Sequence, residues 1–271
     1  MRDRIYSPGP IMQPMANIAL RAARLAAQQI VRGFDRPDLI DISTKGHNDF
    51  VTNIDREAEY IAIETLREKY PDHKFTGEES GSSTEEDLEY EWVIDPLDGT
   101  MNFTRQLPHF CVSIACLHKS KIEHGVVVDP IRQEEFVASR GQGATLNGKR
   151  IRVSSLESLD GALIATGGRD RHLHLEGETE VQRHLLESKS FARQSGSAAL
   201  DLAYIATGRL DGLYLRGLGR WDMAAGVLLV TEAGGLVGDF EGGANFMKNG
   251  NIVAGSPRCF KTISSVVRKH L

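Results

Sequence analysis

In Trp92-Val93-Ile94-Asp95-Pro96-Leu97-Asp98-Gly99-Thr100-Met101-Asn102-Phe103, a short apolar run leads into a turn that carries two carboxylates. Trp92-Val93-Ile94 reads as a buried strand, and Asp95 and Asp98 bracket the proline turn at its end. Hard oxygen ligands at such a strand-to-helix turn suit Mg²⁺. The backbone N–H groups of Gly99 and Thr100 open a short helix, where unpaired donors and the helix dipole can hold a phosphate. Taken alone, D-P-x-D reads equally as a turn in which Asp98 caps the helix. An aspartyl-phosphate hydrolase would need D-x-D, whose period of two points both carboxylates the same way. Here the spacing is three, which favours a metal-activated water over an aspartyl nucleophile.

Working outward, Gln13 to Val31 carries Ile18, Ala22, Leu25, Ala26 and Ile30 on one helix face, with Gly33 as a stop. Thr52 caps a second helix with Ile54, Ala58, Ile61, Ala62 and Leu66, ending at Tyr70 before Pro71. Cys111 to His118 and Ile122 to Asp129 read as strands, and Asn147-Gly148 is a hairpin turn. Beyond them alternate a strand at Ala162 to Thr166, helices at Glu178 to Glu187 and Ala198 to Thr207, and a strand at Gly212 to Leu215. A helix at Met223 to Ala233, a strand near Ile252 and a last helix to Leu271 complete the pattern. The expected class is α+β, in two halves: residues 12–155 with the metal and phosphate site, and residues 156–271 completing it. Residues 1–11 read as a loose N-terminal extension.

The 271 residues are 41% hydrophobic and 25% charged with a net charge of −5, an ordinary globular balance. That balance gives no strong nucleic-acid signal, so an anionic substrate needs local positive charge or a metal. The odd set Cys111, Cys116 and Cys259 forms no C-x-x-C pair and no disulfide framework. No export signal or membrane span is read, so the expected compartment is the cytoplasm.

Two further strings bear on chemistry. Gly77-Glu78-Glu79-Ser80 begins an acidic segment that otherwise reads as a solvated face, and Asp222 in Trp221-Asp222-Met223-Ala224-Ala225-Gly226 reads by default as an N-cap. Together with Lys45 to Asp55, Arg140 to Ala144, Gly196 to Ala203 and Trp221 to Gly235, these motifs resemble, over nearly the whole chain, the inositol monophosphatase family. That family lies within the Mg²⁺-dependent, lithium-sensitive phosphatases, and the similarity is greatest to its bacterial SuhB-type branch.

The resemblance implies a layered αβαβα sandwich, as in the fructose-1,6-bisphosphatase type, and three Mg²⁺ ions. Glu78, Asp95 and the Leu97 carbonyl would hold the first, Asp95, Asp98 and Asp222 the second, and Glu78 with waters the third. Thr100, linked to Asp55, would orient the attacking water, with Glu78, Thr100 and Asp55 forming the catalytic set. Gly99 and Thr100 would bind phosphate, and Asp98, Gly196, Ser197, Ala198 and Leu215 would bind the rest of a small phosphorylated polyol such as inositol 1-phosphate. It also implies a homodimer, for which strands Cys111 to His118 and Ile122 to Val128 offer apolar surface. The SuhB branch implies an alternative reading, a binding factor with weak or vestigial phosphatase activity whose partner is the ribosomal RNA transcription antitermination machinery.

The departures cluster at the sugar side. Leu215 stands where the family usually has a hydroxyl-binding Glu, Gly167-Gly168-Arg169-Asp170 replaces the usual loop, and Met101 replaces a common Thr. Asp201 reads as bracing the substrate wall. Arg169, Arg171, Arg216 and Arg220 either add positive charge at the mouth or point outward into solvent. His172 and His174 read as a solvated loop.

Overall fold

A computed structural model describes residues 12–46, 49–168 and 174–271. The first helix, α1 (Pro14–Phe34), starts at a proline placed where no intrahelical donor is needed, and buries Ala16, Ala19, Ala22, Ala23, Ala26 and Ile30. A hairpin of β1 (Ile42–Gly46) and β2 (Asp49–Thr52) leads into α2 (Asn53–Arg67). Thr52 Oγ1 accepts the N–H of Ile54 at 3.1 Å and of Asp55 at 3.3 Å, while Asp55 Oδ2 accepts the Thr52 N–H at 2.9 Å. This reciprocal capping box fixes where α2 begins. The helix stops at Arg67 rather than Tyr70, because a turn intervenes before Pro71.

The larger sheet takes β3 (Lys74–Gly77), β4 (Gly81–Ser82), β5 (Tyr90–Asp98), β6 (Cys111–His118), β7 (Lys121–Asp129), β8 (Glu134–Ser139), β9 (Gly143–Leu146) and β10 (Lys149–Arg150). Their order is β10-β9-β8-β7-β6-β5-β3-β4, antiparallel except where β3 runs parallel to β5. Asn147 and Gly148, both at positive φ, make the β9–β10 turn that the Asn-Gly signal predicts. After α3 (Thr100–Thr104), which lies between β5 and β6, the helices of the second half are α4 (Leu175–Glu187), α5 (Ala198–Ala206), α6 (Arg220–Glu232), α7 (Phe246–Asn249) and α8 (Pro257–His270). The smaller sheet takes β11 (Leu163–Gly168), β12 (Phe191–Arg193), β13 (Gly212–Arg216), β14 (Leu236–Gly238) and β15 (Ile252–Gly255), in the order β12-β11-β13-β15-β14.

These elements stack in five layers. Helices α1 and α2 cover one face of the larger sheet, where Trp92, Ile94, Phe103, Phe110, Val112 and Ile114 form one core with the alanines of α1. Its other face packs on α5 and α6, which the smaller sheet covers in turn, and α4 and α8 close the outside. The stack is the αβαβα sandwich that the motifs imply. Covered on both faces, β6 is apolar at nearly every position instead of alternating. The same placement corrects the expected two-fold contact: β6 and β7 lie inside the larger sheet between two helical layers, so their apolar residues are already covered by the chain itself.

Candidate active site

The strand β5 carries the first carboxylates. In a regular strand two residues three apart point to opposite faces. Here the ladder with β6 pairs Asp95 with Ser113 and resumes only at Asp98 with Cys111, since Pro96 has no N–H to donate. The irregularity brings both Asp95 and Asp98 to one cleft of about 400 Å³. Asp95 is fully buried. Its Oδ1 accepts the Leu97 N–H at 3.0 Å, and its Oδ2 is buried without a hydrogen-bond partner among the described residues. Burial, then repulsion from Glu78, Asp98 and Asp222, pushes the Asp95 carboxyl well above the ordinary range.

Glu78 follows β3, held there by its own N–H donating to the Ile94 carbonyl at 3.1 Å. Asp222 arrives from the second half on the first turn of α6. It corrects the N-cap expectation: Gly219 occupies the N-cap, and Asp222, three residues on, accepts the Gly219 N–H through Oδ2 at 2.7 Å. One oxygen from each of Glu78, Asp95 and Asp222 lies within 4.8 Å of the others. An orphaned buried oxygen within a converging, oxygen-only donor set fits a hard divalent cation.

Asp98 departs from the capping reading of the turn. Gly99, at φ 103°, is the N-cap residue of α3, and a side chain there would meet the His109 carbonyl at 3.0 Å. Asp98 reaches across to α5 instead, where its Oδ2 accepts the Ser197 hydroxyl at 2.6 Å and the Ala199 N–H at 2.7 Å. Burial and the Asp222 charge push its pKa up to about 7. It lies beside the three-carboxylate cluster, with one oxygen committed to the helix N-terminus. Cys111 packs against Asp98, and burial raises its thiol far above the range in which it would react.

At the cleft edge the Thr100 hydroxyl sits 3.0 Å from both Asp55 Oδ1 and the Leu97 carbonyl. The capping box occupies Asp55 Oδ2 and leaves Oδ1 for Thr100, so a helix-start motif also orients a site residue. Burial raises the Asp55 pKa, against hydrogen bonds from Thr52 and Thr100 that lower it. Gly99, Gly196, Ser197, Ala198 and Leu215 all line the cleft.

Several residues that the sequence left unmarked also contribute. Asn102 Nδ2 donates to the His109 and Ser195 carbonyls at 2.8 and 2.9 Å, tying the first signature to the loop before α5. Asp201 does line the wall, accepting from Ser195 Oγ at 2.7 Å, and burial pushes its pKa up to about 7. Phe50, inside the Lys45 to Asp55 motif but given no role there, and Gln194, outside every motif, also line the cleft.

Of the arginines, Arg216 and Arg220 turn away from the mouth. Arg220 pairs with Glu91 at 3.1 and 2.8 Å, and Arg216 is buried on the opposite face of β13 from Leu215, over the Phe240 ring. Arg169, Arg171 and His172, like the extension 1–11, lie outside the described residues, and His174 is exposed at the start of α4.

Residues 11–271 match the family model described as the inositol monophosphatase family. The chain belongs to the inositol monophosphatase family. Within this family it is 51% identical over 265 residues to the Nus factor SuhB of Pseudomonas aeruginosa, covering 96% of this chain and 98% of that protein. The crystal structure of the extragenic suppressor protein SuhB from Bartonella henselae superposes with a TM-score of 0.92 at 39% identity, covering 96% of this chain and 100% of the other. An inositol monophosphatase from Anabaena superposes at 0.83 with 34% identity, over 94% of this chain and 96% of its own. Membership supports reading the acidic cluster as a phosphatase metal centre. No helix among the described residues is long and apolar enough to cross a membrane.

Proposed function

We propose that this chain is a Mg²⁺-dependent phosphomonoesterase acting on a small phosphorylated polyol such as inositol 1-phosphate. The observation that carries the reading is the convergence of Glu78, Asp95 and Asp222 around an orphaned Asp95 oxygen at the base of the cleft. A divalent cation held there supplies Lewis-acid polarisation of the phosphoryl oxygens and lowers the pKa of water. Asp98 adds a neighbouring carboxylate for a second cation. Asp55 accepts the Thr100 hydrogen bond and so turns the hydroxyl's lone pairs to receive and orient a water. Gly99 and Thr100 hold the phosphate, and Gly196, Ser197 and Ala198 wall the alcohol side. Phosphate release from a panel of sugar and polyol phosphates, measured with Mg²⁺ and with excess chelator, tests the proposal: release that persists in chelator overturns it.

Leu215, 3% exposed beside Gly167, gives that wall an apolar surface that cannot accept hydrogen bonds from substrate hydroxyls. Leu215→Glu is expected to raise kcat/KM for inositol 1-phosphate by roughly tenfold, the scale of one hydrogen bond to a charged group, with unchanged Mg²⁺ dependence. Equal kcat/KM in both proteins would remove Leu215 from the polyol contacts.

A second role has its own support in the Nus factor name of the relative at 51% identity. We propose that the chain also serves the cytoplasmic transcription antitermination machinery through its outer surface, and that it works as a homodimer. Light scattering at micromolar concentration is expected to give twice 29.9 kDa; a single-chain mass throughout the accessible range would refute the dimer.

A further inference from the structure

Glu59 lies on α2 among exposed neighbours such as Glu57, yet it is only 2% exposed. Carboxylates are seldom buried without a partner. Among the described residues its partners are two successive backbone amides, Glu79 N–H donating to Oε2 at 2.9 Å and Ser80 N–H to Oε1 at 2.8 Å. Gly77 completes the fit, because a side chain at that position would come within 2.4 Å of the Glu59 carboxyl. The turn 77–80 is therefore gripped from two sides. The Ile94 carbonyl takes the Glu78 amide, and Glu59 takes the next two amides. Between these anchors stands Glu78, whose side chain joins Asp95 and Asp222.

We infer that Glu59 is a positioning residue, whose buried carboxylate holds the Glu78 turn and thereby sets the affinity of the acidic cluster for a divalent cation. The inference rests on reading that cluster as a metal centre. Charge-assisted bonds to paired amides are short and directional, so their loss frees one ligand of the set to move while the others stay in place. Partners that orient metal ligands typically change metal affinity by about 10- to 100-fold when removed.

The test is Mg²⁺ titration of the full chain by calorimetry, with thermal melting as a check of folding. Glu59→Ala is expected to weaken Mg²⁺ binding by about tenfold or more. Glu59→Gln, which keeps the volume and one acceptor, is expected to fall between it and wild type, and carries the test alone if the alanine variant does not fold. In a Glu78→Gln background, Glu59→Gln should cost no further affinity, since the ligand it positions is already impaired. Wild-type affinity in folded Glu59 variants, or the same loss with and without Glu78, overturns the inference. Absence of Mg²⁺ binding by the wild type would instead overturn the metal reading, and this inference with it.

Discussion

Asp95→Asn is expected to lower kcat for Mg²⁺-dependent phosphate release by at least about two orders of magnitude, because several kcal/mol of transition-state stabilisation depend on the cation it helps to hold. The same substitution should make the cation-free protein more stable. In wild type the Asp95 Oδ2 is buried without a partner and faces Glu78 and Asp222. An amide there keeps the acceptor for the Leu97 N–H and offers a donor to the surrounding carboxylates. Asp95 is costly in the cation-free protein whether it ionises among like charges or keeps a proton that the unfolded chain releases, and replacing it by a neutral amide is worth on the order of 1–3 kcal/mol. Steady-state kinetics and melting with and without Mg²⁺ separate the two effects: the variant should melt higher than wild type in chelator and gain less from Mg²⁺. Turnover near that of wild type would refute the central role of Asp95.

The cation-free protein should also lose stability as pH rises between about 6.5 and 8.5, by on the order of 3 kcal/mol. Asp98 and Asp201 have folded pKa values of about 7 against 3.8 for an ordinary aspartate, and Asp95 lies well above that ordinary value. The folded state thus keeps protons that the unfolded chain has already released. Stability from these groups is complete below the unfolded value and is lost as pH passes the folded one. His73, His109 and His124 act in the opposite direction, since burial lowers their pKa below 6.5, but what each still adds above pH 6.5, about 0.4 kcal/mol, offsets only part of the loss. Urea denaturation in chelator at pH 6.5 and 8.5 should show the drop, and Mg²⁺ should reverse it at the higher pH. A flat or rising profile in chelator would mean that the carboxylates are not held as protonated groups.

The parts of the molecule legible in its sequence are those whose periodicity reflects one dominant contact. The alanine face of α1, the Thr52 cap and the strand Cys111–His118 are of this kind. The segments β12 and β14 are short, lie at sheet edges and carry exposed residues, so they leave little pattern to read. At the site, the identity of the carboxylates was legible and their bonding was not. Asp98 gives its oxygen to Ser197 and Ala199, contacts made by folding rather than by neighbourhood in the chain. Glu59 looks like any charged residue on a helix until the turn above it is seen. The placement of Arg216 was decidable from the period of two, since it cannot share the cleft face of β13 with Leu215.

The acidic cluster draws on both halves of the chain, with Glu78 and Asp95 at strands of the larger sheet and Asp222 on α6, in the layer between the two sheets. A chain that has built only its first sheet therefore has two of the three carboxylates and no closed cluster. Ion capture becomes a late event of maturation, coupled to completion of the whole topology rather than to any local segment. An ion held there as proposed would act as a clasp, adding stability in proportion to the logarithm of its free concentration. On the proposed Mg²⁺-dependent function, the magnesium level of the surroundings would then govern the protein's lifetime as well as its catalytic rate.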